Sequence, residues 1–530
     1  MKTLDFQWFL CYYYPMNNVV LTKEILELKS RIVELEALVK WYEEQFRLNK
    51  HRQFGSSSEK SEYDQISIFN EAEATADIAA AEPEFVEIEK HYRKRKRLVN
   101  DSLPDDIPIE TVEYELPEDE QICPDCNGQL HVMGHETRRE LKIIPAQAVI
   151  VEHKSSIYAC QNCEGNGVGG PILKAPMPEP VIKGSFASPE AAAHVMCQKF
   201  VMGSPLYRQE QDWDRNGILL SRQTMSNWLI RCSEDWLEPI YERMKANLLT
   251  HKVLHGDETT LQVLREPGKT AQSKSYMWLY RTSGDTETPI VLYEYQPSRR
   301  HEHPEAFLKG FSGYLHADGY DGYHKLPENI VIVGCWSHMR RKFDEALKSV
   351  SEKDRDASKA MPGKRYCDKL FEFERAFANL SPNERYRKRQ EFSQPLLDEF
   401  YTWVNSLNDP PKTGLGKAKH YALSQRKYLE RYLLDGRLEI SNNRAERSIK
   451  PFVIGRKNWL FANTIKGAKA SSVIYSIIET AKENRLKPFE YLTFLFKSLP
   501  NATTGALVGL LPWGGAVPLA CKMPLDKKHD

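Results

Sequence analysis

Three short stretches carry carboxylates in settings suited to metal chemistry. His255-Gly256-Asp257-Glu258-Thr259 and His316-Ala317-Asp318-Gly319-Tyr320 each deliver an Asp at the end of a short apolar run. Asn442-Asn443-Arg444-Ala445-Glu446-Arg447 places a Glu on a basic stretch of helical character. Carboxylates are the hard oxygen ligands that Mg²⁺ prefers, and few are needed because water and phosphate oxygens complete the octahedron. Two such ions ~4 Å apart activate a water or a 3′-hydroxyl and relieve charge at a scissile phosphate. If Asp257, Asp318 and Glu446 converge, the expected chemistry is cutting or joining of a nucleic-acid backbone, with two Mg²⁺ ions (or Mn²⁺) as cofactors. Taken alone, Glu446 among Arg444, Arg447 and Lys450 reads more readily as a solvated ion pair. The two Asp stretches turn the balance towards a metal ligand. Arg444 and Arg447, with Arg456, Lys457 and Trp459 beyond, are candidates for gripping phosphates and stacking a base.

A second metal is signalled by Cys123-Pro124-Asp125-Cys126 and Cys160-Gln161-Asn162-Cys163. Four thiolates in two knuckles suit tetrahedral Zn²⁺, and four Cys ligands leave no open position, so the expected role is structural. In each knuckle a Gly (Gly128, Gly165) follows the second Cys by two residues, where the backbone must turn tightly. Strand-like sequence over 141–150 and 151–159 makes a zinc ribbon the expected form. Cys335 and His338 are read as a structural contact near the carboxylates, with a minor metal position as the alternative.

The elements that must position these groups form a multidomain α+β chain. At 530 residues several cores are expected, and 41% hydrophobic with 11% aromatic residues is enough to build them. The formal net charge is zero, yet an acidic tract from Glu71 to Glu89 runs directly into the basic run His91–Arg97, so neutrality hides local basic patches. No apolar run is long enough to span a membrane, the first residues lack the marks of a signal peptide, and Met16 is an alternative start. With two Cys-x-x-Cys pairs and no secretion signal, a reducing cytoplasm is the expected compartment.

Residues 21–46 carry heptads, with Ile25, Ile32, Val39 and Phe46 at a and Leu21, Leu28, Leu35 and Tyr42 at d. β-branched a residues over Leu at d favour a parallel two-stranded coiled coil and hence a homodimer; a single amphipathic helix is the alternative. Within the helical stretch 187–250, Asn216-Gly217 breaks one helix and Ser221 caps the next. Arg222, Gln223, Thr224 and Asn227 near its start fit a helix-turn-helix reader, or an ordinary helical hairpin. From residue 251 the rhythm is three strands, a helix over 304–311, a strand, a turn and a fifth strand, which is the order of a ribonuclease H-like sheet. In that fold the first and fourth strands are neighbours, so Asp257 and Asp318 would be adjacent. Residues 351–430 are charged and helical throughout, too long for a loop, and read as an inserted subdomain. The expected divisions are a zipper (16–60), a linker (61–100), a zinc ribbon (101–180), a helical DNA-binding region (181–250), a catalytic core split into 251–350 and 431–490 around the 351–430 insertion, and a tail (491–530).

These residues together resemble the transposases of the insertion sequence 66 family, a group of DDE transposases. The resemblance runs through Phe54–Lys60, both Cys knuckles, Pro205–Gln209, Ser226–Trp228, the two Asp stretches, Cys335–His338, Asn442–Glu446, Gly455–Phe461 and Leu511–Trp513. The block from Asn442 to Phe461 is its most specific part. The resemblance implies that Asp257, Asp318 and Glu446 form the catalytic triad, that DNA is the partner (element ends and target), and that companion proteins of the same element take part. Ser441, where an Asp often stands, and Gly256, where an Ala is more usual, depart from the family pattern without removing a ligand. The implied activity is Mg²⁺-dependent strand cleavage and strand transfer; the alternative is a DNA-binding regulator on an inactive scaffold.

Overall fold

The computed structural model describes residues 28–29, 148–158 and 173–524. The heptads apart from helical Leu28 and Lys29, the linker and both Cys knuckles lie outside the described residues. The chain divides into two compact units, one spanning Ser56–Ala175 and the other holding the rest. In the first unit β1 (Ile157–Tyr158) pairs antiparallel with β2 (Leu173–Lys174). Among the described residues of the strand expected over 151–159, only Ile157 and Tyr158 find a partner across the ladder.

The larger unit opens with four helices, α1 (Pro189–Phe200), α2 (Leu206–Arg215), α3 (Arg222–Cys232) and α4 (Glu238–Leu248). Ser188 and Ser221 cap α1 and α3 by accepting the backbone N–H of Ala191 and Thr224 at 3.0 and 3.1 Å. Between α2 and α3 the chain turns at Gly217, whose φ of 76° lies in the left-handed region a side chain disfavours. Met225, Trp228, Leu229 and Cys232 form the buried face of α3, leaving Gln223 and Asn227 exposed.

The mixed sheet follows. β3 (Val253–Arg265), β4 (Lys274–Thr282) and β5 (Val291–Gln296) are antiparallel; β6 (Gly313–His316) and β7 (Ile330–Val333) add in parallel, after the short α5 (Glu302–Phe307), to give the order β5-β4-β3-β6-β7. β3 is far longer than the sequence pattern suggests. Its first residues pair with β6 (Val253↔Tyr314 to His255↔His316), its middle with β4 and its last residues with a late strand, so it never loses a partner.

After β7 comes α6 (Trp336–Lys348), then the charged helices α7 (Met361–Ala376), α8 (Pro382–Lys388), α9 (Gln394–Ser406) and α10 (Gly414–Ser424). They build a second core of their own around Phe343, Leu370, Leu397, Phe400, Tyr432 and Leu438. The chain then returns through α11 (Asn443–Trp459) and β8 (Ala462–Thr464), the late partner of β3, to α12 (Ile465–Glu483) and α13 (Pro488–Ser498). Helix α11 runs well past Lys450, through Pro451. The bond that a proline cannot make is the one to the carbonyl four residues back, here at exposed Arg447.

Strand β5 ends the sheet, and α12 closes its free edge. Val291 N–H donates to Thr480 Oγ1 at 3.0 Å, Thr480 donates back to the Val291 carbonyl at 2.9 Å, and Tyr293 N–H donates to Ser476 Oγ at 2.8 Å. Ser476 and Thr480 sit one turn apart on α12, matching every second residue of the strand. Removing either hydroxyl leaves a buried N–H without a partner. We expect Ser476→Ala and Thr480→Val each to lower stability by about 1–3 kcal/mol, read from the denaturant midpoint; wild-type midpoints in both variants would refute the edge-closing role.

Candidate metal centre

The parallel pairing of β3 with β6 sets the site. The last ladder pair is His255↔His316, and Asp257 and Asp318 each lie two residues further on. A step of two returns side chains to the same face of a strand, so each Asp stands above its own His, and the two aspartates emerge side by side. The His255 and His316 rings stack with centroids 4.4 Å apart and planes 13° from parallel. Both are fully buried. Burial pushes His255 down to about 4 against the pull of Glu439, and burial with the neighbouring ring pushes His316 well below the usual range. Two neutral rings therefore form an uncharged floor beneath the two acids.

The third acid arrives on α11, and Asn442 fixes where that helix starts. Its side chain Nδ2 donates to the Gly256 carbonyl at 2.8 Å, and its Oδ1 accepts from His255 Nδ1 at 3.0 Å. Its backbone N–H donates to Cys335 Sγ at 3.1 Å. Asn442 is 1% exposed. One residue thus joins β3, the start of α6 and the start of α11. Glu446, one helical turn on, is brought towards Asp257. Burial first, then the charges of Glu258, Asp318 and Glu446, push the Asp257 carboxyl well above the ordinary range. Its Oδ1 accepts the Glu258 backbone N–H at 2.8 Å.

Glu258 is a fourth acid that the sequence reading did not single out. Its side chain is 2% exposed and accepts from Arg299 Nε at 2.6 Å and from Tyr323 Oη at 2.7 Å. Burial and Asp318 raise its pKa, while Arg299 and Tyr323 hold it down. The Arg299 guanidinium also reaches Asp318 Oδ2 at 3.8 Å and lies over the Tyr320 ring, 3.8 Å from its centroid. Tyr320 N–H donates to Asp318 Oδ1 at 2.9 Å, which orients that carboxylate. Arg299 and Tyr323 carry no motif of their own; Glu258 and Tyr320 lie within the two Asp stretches, where nothing local gives them a role.

On the other side Glu446 faces α6. Its Oε1 lies 3.7 Å from His338 Nδ1 and its Oε2 lies 3.5 Å from Arg341. Burial opposes a charge on His338, but the Cys335 sulfur and the Glu446 carboxylate outweigh it and hold the imidazole at about 9. Glu446 Oε1 is shielded from solvent and has no hydrogen-bond partner. A patch of like charges that raises one member's pKa, together with an unsatisfied buried carboxylate oxygen, suits divalent cations. The donors are all hard oxygens, as Mg²⁺ or Mn²⁺ requires. The three carboxylates are not a closed cage. Among the described residues, the trio whose ligand atoms all lie within 4.8 Å of one another is Cys335, His338 and Glu446. A two-ion site spreads its acids over a span wider than a single coordination shell.

The proposed DNA contacts fall in different surroundings. Gln223, Asn227, Arg447 and Lys457 are exposed. Arg222 reaches back over α2, with Nε 3.6 Å from Glu210 and the guanidinium over Tyr207. Arg444 is paired with Glu439 at 2.7 Å. Arg456 donates to Thr259 and Thr260 on β3 at 3.3 and 3.0 Å, so it ties the far end of α11 to the strand that bears Asp257. Trp459 packs edge-on against Phe452, with Lys199 over its ring. Cys123, Cys126, Cys160 and Cys163 lie outside the described residues.

Comparison with known sequences adds the family context. Residues 184–470 match the model described as transposase IS66 family, 120–164 the zinc-finger binding domain of transposase IS66, 41–112 the transposase C of IS166 homeodomain, and 476–513 the IS66 C-terminal element. All four knuckle cysteines fall inside the zinc-finger match, which supports a structural zinc. The chain is 30% identical over 441 residues to uncharacterized protein y4hP of Sinorhizobium fredii, covering 79% of this chain and 77% of that protein. It is 31% identical over 427 residues to uncharacterized protein y4jD of the same organism, covering 78% and 81%. No helix among the described residues is long and apolar enough to cross a membrane.

Two substitutions test the anchoring of α11. A Cβ at Gly256 would meet Leu315 and Tyr323 at 3.5 Å, an ordinary contact, so Gly256→Ala is expected to be tolerated. Asn442→Ala strips two buried partners at about 1–3 kcal/mol each, and we expect a loss of about 2–6 kcal/mol by chemical denaturation. An Asn442→Ala protein as stable as Gly256→Ala would remove Asn442 from its anchoring role.

Proposed function

The chain belongs to the IS66 transposase family, and on that premise we propose that it cleaves and joins DNA strands at the ends of its own element through Asp257, Asp318 and Glu446. The observation that carries the reading is the meeting of three separate segments: the β3–β6 pairing ends two residues before Asp257 and Asp318, and Asn442 binds the start of the Glu446 helix to Gly256. The sheet order, three antiparallel strands followed by two parallel ones, supports a ribonuclease H-like core. The division into zipper, zinc module, helical DNA-binding region and split core, and a dimer through the 21–46 heptads, belong to the same proposal.

In this reading Asp257, Asp318 and Glu446 would hold two Mg²⁺ or Mn²⁺ ions. Bound there, the ions lower the pKa of an attacking water or 3′-hydroxyl and neutralise charge on the phosphate. The chain's own groups do the positioning. Tyr320 N–H and Arg299 fix the Asp318 carboxylate. The neutral histidine pair keeps positive charge from beneath the aspartates, where it would compete with a cation. Asn442 holds the helix of Glu446 in register with β3. Exposed Gln223 and Asn227 on α3 are suited to reading base edges, and exposed Arg447 to phosphate contact. Cys123, Cys126, Cys160 and Cys163 would hold the zinc.

Asp257→Asn is the direct test. It should abolish Mg²⁺-dependent nicking of an end-containing duplex while leaving binding to that duplex intact. It also removes one of several crowded charges, so without divalent cations the variant should be more heat-stable than wild type, a trade expected where like charges are stored for function. Undiminished nicking by Asp257→Asn would end the assignment. For the zinc module, elemental analysis should find one zinc per chain fewer in Cys123→Ser than in wild type; equal zinc in the two proteins would contradict the four-thiolate set.

A further inference from the structure

Beside the hard-oxygen cluster lies a softer one. We infer that Cys335, His338 and Glu446 form a binding site for a thiophilic divalent cation of the zinc class, and that filling it draws Glu446 away from the aspartate pair. The ligand atoms of the three side chains all lie within 4.8 Å of one another, close enough for side-chain rotation to reach zinc bond lengths of about 2.0–2.3 Å. One sulfur, one imidazole nitrogen and one carboxylate oxygen form a donor set that Mg²⁺ avoids and Zn²⁺ accepts. Three protein ligands also leave a fourth tetrahedral position for water.

Two further observations point into this cluster. His338 Nδ1 and Glu446 Oε1 face each other at 3.7 Å, and both atoms are shielded from solvent with no hydrogen-bond partner. Their unmet bonding capacity converges on one spot. The backbone also holds the cluster in place. Cys335 directly precedes α6, His338 lies on its first turn, and the Asn442 N–H that meets Cys335 Sγ at 3.1 Å belongs to the residue that opens α11. Binding takes the thiolate and the neutral imidazole, so it would release to solvent the protons that Cys335 and His338 carry, with no change of oxidation state.

Binding itself stands apart from the transposase reading; the functional consequence rests on it, because Glu446 is there a ligand of the catalytic ions. A thiophilic cation would then oppose Mg²⁺ at one shared carboxylate. The Cys knuckles are separate ligands for the same class of metal, so the test uses full-length protein carrying a single zinc per chain, enough for the knuckles alone, and compares variants.

Co²⁺ titration of wild type, Cys335→Ser and His338→Gln, followed by the thiolate-to-cobalt charge-transfer band, reads the site directly. We expect one further cobalt per chain in wild type, no such band in Cys335→Ser, and an affinity weakened at least roughly tenfold in His338→Gln. Cys335 is buried and bonded; partly exposed His338 supplies the variant that should fold normally. Equal bands in all three proteins, or no added band in wild type, would overturn the site. In the second arm, nicking is measured at fixed Mg²⁺ with rising Zn²⁺, each protein scaled to its own zinc-free rate. The zinc needed for half-inhibition should rise at least roughly tenfold in His338→Gln; wild-type nicking indifferent to zinc that demonstrably binds would overturn the competition. Absence of nicking by wild type in Mg²⁺ alone would count against the proposed function, while the cobalt result decides the site.

Discussion

The amide of Asn442 is the contact on which the geometry of the acids depends. It spans 186 residues of chain to the Gly256 carbonyl and 187 to His255. An amide donates and accepts at once, and here both halves are used on adjacent residues of one strand. Among side chains of that size, the amide alone puts its donor and its acceptor on separate atoms that can face two partners at once. An Asp could not donate to Gly256, and a Leu would leave two buried polar groups unmet. The bond also fixes the His255 tautomer, with Nδ1 as the donor; burial keeps the ring neutral, and it stacks on His316 rather than repelling it. The flat, uncharged floor beneath Asp257 and Asp318 is thus tied to the same residue that positions Glu446.

Charge around this point is sorted by side. Arg299 neutralises Glu258 and steadies Asp318 from the β5 end. His338 and Arg341 approach Glu446 from α6. Asp257 sits between and bears the cost, its carboxyl pushed upward by burial and by three like charges. Such an arrangement is unfavourable for the empty fold and favourable once cations enter, the pattern expected where binding energy is stored in the protein's own repulsion. Glu439 contributes from below: its backbone N–H meets His316 Nε2 at 3.2 Å, and its side chain secures Arg444. That engagement turns Arg444, on sequence a candidate for phosphate, into part of the frame.

Much of this was legible in the residues. The five strands of the core follow from short apolar runs bounded by turn residues, and Asp257 and Asp318 stand out because each ends such a run. Ser221 announced α3, and its cap bond is present. What stayed hidden depends on partners distant in sequence. The full length of β3 could not be read, because its last residues are strand by virtue of β8, a partner some two hundred residues later in the chain. Arg299, Tyr320 and Tyr323 look like ordinary loop residues until Glu258 is placed among them. Trp459 has the composition of a stacking platform, yet its ring is engaged by Phe452 and Lys199, contacts that only the packing of α1 and α11 creates.

The long strand β3 has one more implication. Helix α11 is fastened to it twice, at its start through Asn442 and beyond its middle through Arg456, and the chain that leaves the helix pairs with the same strand as β8. Strand and helix therefore act as a braced beam and its ruler, setting the acid spacing, while among the helices between Met361 and Ser424 buried Arg389 holds the approach to α11 through the Tyr432, Asp435 and Leu438 carbonyls. Those helices carry a hydrophobic centre of their own. Lengthening, trimming or grafting a reporter into their outer turns should leave the span between the strand-borne and helix-borne acids unaltered, which makes that region the natural place to engineer this chain.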